Sequence, residues 1–139
     1  MENKLEVSSL EELKAFSSAF INENTTPLIV CLNGDLSAGK TQLVKFFVSC
    51  IGGDEAIVSS PTYSLINEYV VSGKTIFHCD LYRIESPEEL EQIGFWDLLD
   101  QSFDYFLIEW ASKFDISPAG NFKTIDIKKL SETKRLISY

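Results

Sequence analysis

Eight consecutive residues carry the clearest chemistry in the chain. Gly34-Asp35-Leu36-Ser37-Ala38-Gly39-Lys40-Thr41 fills every fixed position of the phosphate-loop pattern G-x-x-x-x-G-K-[ST]. The glycines let the backbone curl until successive N–H groups point inward at a polyphosphate, and the helix that follows adds the positive end of its dipole. Lys40 is expected to reach the β- and γ-phosphates, and Thr41 to set its hydroxyl on a magnesium ion. Coincidence of composition would bring the four fixed positions together in a chain this long about once in several hundred cases. The loop also sits where it must, between an apolar run and an amphipathic segment.

Hydrolysis needs a carboxylate beyond the loop to hold the metal or its waters, and in this architecture such acids end buried strands. Asp80 closes Thr75-Ile76-Phe77-His78-Cys79, and Glu109 closes Tyr105-Phe106-Leu107-Ile108. An acid at a strand end is often only a solvated residue, and position alone does not rank the two. His78, the single histidine, is either a packed core residue, the favoured reading, or an orienting partner for Asp80. Trp110 follows Glu109 and either stacks near the nucleotide or caps the sheet. The chain has no Asn-Lys-x-Asp guanine reader and no Asp-x-x-Gly switch, so ATP or ADP, with Mg2+, is expected by elimination.

These groups need elements to position them. Ser9 followed by Glu12 is a capping-box pattern, and Leu10, Leu13, Phe16 and Phe20 recur at helical spacing. Leu28 to Leu32 is a continuous apolar run that suits a strand buried on both faces and leads into the loop. Leu43, Val44, Phe47 and Ile51 mark a helix face that Gly52-Gly53 should stop. Tyr63 to Val71 and Thr75 to Cys79 flank the turn signal Ser72-Gly73-Lys74 and predict a hairpin. Ser86-Pro87-Glu88-Glu89 should open a short helix fading near Gly94, with its glutamates on a solvated face. Tyr105 to Ile108 is another buried strand, and alternation at Thr124 to Lys129 and Arg135 to Tyr139 predicts a closing hairpin.

The expected fold is therefore a three-layer α/β P-loop NTPase-like domain over residues 1–139. Its central sheet is mostly parallel, with antiparallel edge strands and helices on the faces. At 139 residues with 45% hydrophobic and 24% charged side chains, the chain matches one ordinary globular core. A net charge of -9, from 12 basic and 21 acidic residues, repels phosphate backbones and disfavours autonomous RNA binding. The three cysteines, Cys31, Cys50 and Cys79, are odd in number and lack metal spacing, so they read as reduced thiols, with Cys31 and Cys79, inside apolar runs, packed as small hydrophobes. No apolar run approaches the roughly 20 residues of a membrane span; a cytoplasmic location is expected.

The chain resembles the bacterial TsaE (YjeE) ATPases of tRNA threonylcarbamoyladenosine synthesis. The resemblance rests on the phosphate loop; on Ser60-Pro61-Thr62-Tyr63 with Leu65 and Tyr69; on His78-Cys79-Asp80-Leu81-Tyr82-Arg83; on the glutamate-rich segment ending at Gly94; and on Ile108-Glu109-Trp110. Ser37 departs from the family's usual glycine but occupies a variable position of the general motif.

The resemblance implies an ATPase subunit that binds a TsaB–TsaD-type threonylcarbamoyl transferase heterodimer and sustains modification of adenosine beside the anticodon, meeting tRNA only through that complex. It implies that Lys40 and Thr41 serve phosphate and magnesium, that Glu109 acts on the metal side, that Asp80 is a second essential acid, and that Thr62 is a switch residue near the γ-phosphate. Two other classes stay open. One is a non-catalytic nucleotide sensor. The other is a small-molecule kinase, which the presence of only two arginines, Arg83 and Arg135, weakens. Arg83 is also a candidate finger supplied within the chain.

Overall fold

The two apolar runs read as doubly buried strands lie side by side. In the computed structural model, which describes residues 2–35, 38–61, 65–116 and 121–139, β2 (Leu28–Asn33) pairs in parallel with β5 (Tyr105–Glu109), Leu32 opposite Glu109. β4 (Lys74–Asp80) continues the parallel set on the far side of β5, placing Asp80 opposite Glu109. On the other side of β2 lies β6 (Phe122–Lys129), also parallel. Both ends of β2 and β5 therefore point the same way, and their carboxyl ends collect at one rim.

Antiparallel pairing closes both edges. β3 (Ile66–Val71) and β4 form the predicted hairpin about Ser72-Gly73; Tyr63 and Ser64, in the expected first arm, lie outside the described residues. At the opposite edge β7 (Arg135–Ser138) folds back on β6 and pairs in turn with β1 (Lys4–Val7). Among the described residues the sheet has seven strands in the order β1-β7-β6-β2-β5-β4-β3. The mostly parallel sheet with antiparallel edges is the one expected. β1 was not foreseen, since of its four residues only Val7 is buried.

Helices cover the two faces. α1 (Leu10–Glu23) and α2 (Lys40–Ile51) pack Phe16, Phe20, Leu43 and Phe47 over Val30, Leu32, Ile76 and Leu107. α3 (Pro87–Gln92) and α4 (Phe95–Leu99) set Leu90 and Phe95 against Phe77, Phe106 and Ile108 on the other face. Each such fully buried side chain contributes about 1.5–3 kcal/mol, and truncating Phe106 to Ala would cost about 3–5 kcal/mol.

The starts of α1 and α3 share one device. The Ser9 hydroxyl accepts from the Glu12 N–H and the Ser86 hydroxyl from the Glu89 N–H. The glutamates then reach back to the amides of Ser8 and Glu85, one residue before the cap itself. α3 ends just before Gly94, as expected, and Gly94 then caps α4, a second short helix the sequence pattern did not announce. Cys31 and Cys79 are packed in the core as expected, and Cys50 is half-buried.

Candidate active site at the carboxyl rim of the sheet

The phosphate loop leaves β2 and enters α2 at this rim. Gly34 is shaped by its neighbours: at φ 154° a Cβ there would stand 2.6 Å from the Ile127 carbonyl oxygen of β6, so no side chain fits. Gly39 caps α2 in the left-handed region at φ 107°, and a Cβ there would meet nothing within 4 Å, so its backbone faces open space. Leu36 and Ser37 lie outside the described residues. Asp35 is exposed, Ala38 buried, and Thr41 half-buried at the second position of α2.

Lys40, Asp80 and Glu109 converge beneath the first turn of α2, with relative exposures of 4%, 5% and 4%. Charged groups so buried need partners. The Lys40 ammonium donates to the carbonyls of Gly34 and Asp35 and lies 4.2 Å from the centroid of the Trp110 ring, a cation–π contact. Burial draws its pKa below the ordinary 10.5, against the opposing pull of the Glu109, Asp80 and Asp35 carboxylates. Asp80 Oδ1 accepts from the Tyr82 N–H at 2.9 Å, and the Asp80 N–H donates to the Leu65 carbonyl. The two acids the sequence left unranked are thus adjacent in register, and both face the lysine.

His78 sits on the same sheet face. It is fully buried, as the packed reading required, yet its polar partner is Glu109 and not Asp80: its Nε2 is 2.6 Å from Glu109 Oε2. Its Nδ1 is 3.1 Å from the Tyr69 hydroxyl. Sequence reasoning missed this because the contact runs diagonally across two strands. Trp110, which follows Glu109, adopts φ 61°, a strained region for a bulky side chain, and its ring lies 5.0 Å from that of Tyr82. Leu65, whose carbonyl receives the Asp80 amide, is a second such residue at φ 69°. Backbone strain of this kind collects at working sites.

Two further features frame the rim. Arg135 of β7 donates from Nε to the Ala38 carbonyl at 2.9 Å, bracing the loop from the closing hairpin. Beside it a cleft of about 270 Å³ opens between Leu10, Leu13, Ala38, Gly39, Gln42 and Arg135. A larger hollow of about 630 Å³ lies by the start of β6, against Phe20, Phe122 and Tyr139, and contains none of the converging charges. Arg83 is exposed. Thr62 lies outside the described residues. Trp96 is 41% exposed, whereas Phe95 beside it is fully buried.

The donor set suits a magnesium nucleotide better than a protein-only metal cage. Among the described residues no three His, Cys, Asp or Glu side chains gather for a metal. Mg2+ characteristically takes one or two carboxylates and completes its shell with water and phosphate, and two buried carboxylates beside one lysine supply that share. Among the described residues no helix is long and apolar enough to cross a membrane.

The chain is similar to proteins of one family. The chain is 36% identical to the tRNA threonylcarbamoyladenosine biosynthesis protein TsaE of Rickettsia bellii, the match covering 94% of this chain and 89% of that one. It is 44% identical to the TsaE protein of Haemophilus influenzae over 78% of this chain and 68% of that one. The fold is similar to the crystal structure of Bacillus subtilis YdiB, with a TM-score of 0.71 at 24% identity over 99% of this chain and 84% of that one. The family model for the threonylcarbamoyl adenosine biosynthesis protein TsaE matches residues 7–137, from the last residue of β1 to the buried isoleucine of β7, and this chain belongs to the TsaE family.

Proposed function

We propose that this protein binds and hydrolyses ATP with Mg2+, and that the turnover serves tRNA threonylcarbamoyladenosine biosynthesis in complex with a TsaB–TsaD-type threonylcarbamoyl transferase heterodimer. The observation that carries the reading is the convergence of buried Lys40, Asp80 and Glu109 under the phosphate loop. The names of the relatives support the pathway.

In this reading Lys40 exchanges the carbonyls of Gly34 and Asp35 for phosphate oxygens, and the backbone amides of residues 34–41 cradle the polyphosphate. Thr41 and Glu109 serve the metal side, Asp80 is the second acid, and Thr62 is the switch residue by the γ-phosphate. Thr41 and Glu109 would hold Mg2+, which when bound would supply positive charge against the negative charge developing on the phosphate. The 270 Å³ cleft, which opens directly on Ala38 and Gly39, is where a nucleoside would fit beside a polyphosphate held by the loop. Trp110 guards the lysine from the other side. The protein works in the cytoplasm and meets tRNA only through its partners, consistent with a net charge of -9.

Phosphoryl transfer is catalysed by positioning and charge neutralisation. A subunit with two arginines, one of them occupied on Ala38, should turn over slowly by itself. The test is ATP hydrolysis with and without the purified transferase heterodimer. Stimulated turnover that is lost in Lys40→Ala supports the reading; binding with no turnover in either condition would replace it with a nucleotide sensor.

A further inference from the structure

Three buried side chains form a line across three strands. Tyr69 on β3 pairs with Ile76 on β4, and His78 lies two residues further along β4. His78 is in register with Leu107 on β5, and Glu109 lies two residues beyond. With a period of two, all three side chains share one sheet face, and each contact is the diagonal neighbour of a registered pair. Distances confirm the line: His78 Nε2 to Glu109 Oε2 is 2.6 Å, His78 Nδ1 to the Tyr69 hydroxyl 3.1 Å, and that hydroxyl to the Ser59 carbonyl 3.1 Å. Asn67 Nδ2 donates to the same Ser59 carbonyl at 3.1 Å and to the Tyr69 hydroxyl at 3.3 Å.

A carboxylate only accepts, so the proton on this contact belongs to His78 Nε2. The Tyr69 hydroxyl has one hydrogen, aimed either at Nδ1 or at the Ser59 carbonyl. Both arrangements leave Nε2–H pointing at Glu109. Glu109 meanwhile lies close enough to Lys40 for their charges to interact, so without its imidazole the carboxylate would swing toward the ammonium.

We infer that His78 is a positioning residue: it fixes the Glu109 carboxylate for turnover, and through Tyr69 it ties that orientation to the backbone at Ser59. The inference rests on the proposed ATPase reading. It assigns His78 no contact with nucleotide or metal. Its effect is on the geometry of an acid, so it falls on the turnover step and not on affinity.

The chain has one histidine, so 15N-histidine labelling gives a single imidazole spectrum without nucleotide or magnesium. Its Nε2 proton should be far downfield and protected in the native protein, move upfield in Glu109→Ala, and persist in Lys40→Ala. An Nε2 carrying no hydrogen-bonded proton would overturn the relay.

Turnover is then measured in the assembly with the transferase heterodimer. His78→Leu should lower kcat about 10- to 100-fold, the worth of a charge-assisted hydrogen bond, with KM and nucleotide affinity within about threefold. His78→Gln, which returns a donor near the Nε2 position, should recover most of the loss, and Tyr69→Phe should lower kcat by a smaller factor. Native kcat in His78→Leu, or a loss confined to KM, overturns the inference while leaving the ATPase reading intact. Full turnover in Lys40→Ala overturns that reading instead. Should His78→Leu fail to fold, Tyr69→Phe and the imidazole spectrum decide.

Discussion

The ammonium of Lys40 lies 4.2 Å from the centre of the Trp110 ring while donating to the carbonyls of Gly34 and Asp35. The single cation of the phosphate loop is thus held by partners weaker than a polyphosphate. In the proposed reading nucleotide draws it off an aromatic face, and an indole reports such a change in its emission.

Lys40→Ala should weaken MgATP binding by at least about 10-fold, since charge-assisted hydrogen bonds are worth roughly 1.5–3 kcal/mol each. Calorimetry measures this directly. In a Trp96→Phe background, which leaves Trp110 as the only indole, MgATP should change the emission of the Lys40 protein and have little effect on that of Lys40→Ala. Equal responses would show that the contact plays no part in binding.

Asp80→Asn and Glu109→Gln preserve shape and, for Asp80, the oxygen that accepts the Tyr82 amide. Each should reduce stimulated turnover on the order of 100-fold, as for a removed catalytic carboxylate, while urea midpoints move little. A matched loss of stability and turnover would instead assign the acids to folding.

Gly34→Ala tests the fit of the loop against β6. The added Cβ would stand 2.6 Å from a backbone oxygen that cannot swing aside. Destabilisation of about 1–3 kcal/mol, together with loss of nucleotide binding, is the expected outcome in urea titration and calorimetry. Gly39→Ala, where a Cβ meets open space, should be limited to the strain of its left-handed backbone, about 1 kcal/mol.

Burial holds the Cys31 thiol up at about 12 against an ordinary 9.0, and pushes Cys79 up as well. A thiol whose folded pKa is raised keeps its proton in the folded state while the unfolded chain gives it up. Its stabilisation is therefore complete below pH 9 and is lost as pH climbs toward 12. Each thiol should contribute a fall of up to about 1.4 kcal/mol per pH unit in that window. Urea titrations at pH 8 and pH 10.5 should show a shallower decline in Cys31→Ala/Cys79→Ala; an unchanged slope would place the alkaline lability elsewhere.

Much of this is legible in the sequence. The phosphate loop is read by spacing, and its strand and helix by composition, because β2 is buried on both faces and α2 on one. The serine caps of α1 and α3 are local chemistry and appeared where the pattern placed them. What escaped is what depends on distant chain. β1 exists because β7 supplies its hydrogen bonds, and Lys-Leu-Glu-Val by itself carries no strand signal. Asp80 and Glu109 looked like two separate strand ends; only the register of β4 on β5 sets them side by side. The partner of His78 is likewise a product of strand pairing. Asp80, two residues away in sequence, was the natural local guess.

The bond from Arg135 to the Ala38 carbonyl joins positions 97 residues apart. It ties β7 to the phosphate loop, so the β1–β7–β6 margin and the turn after β2 share a direct hydrogen-bonded link.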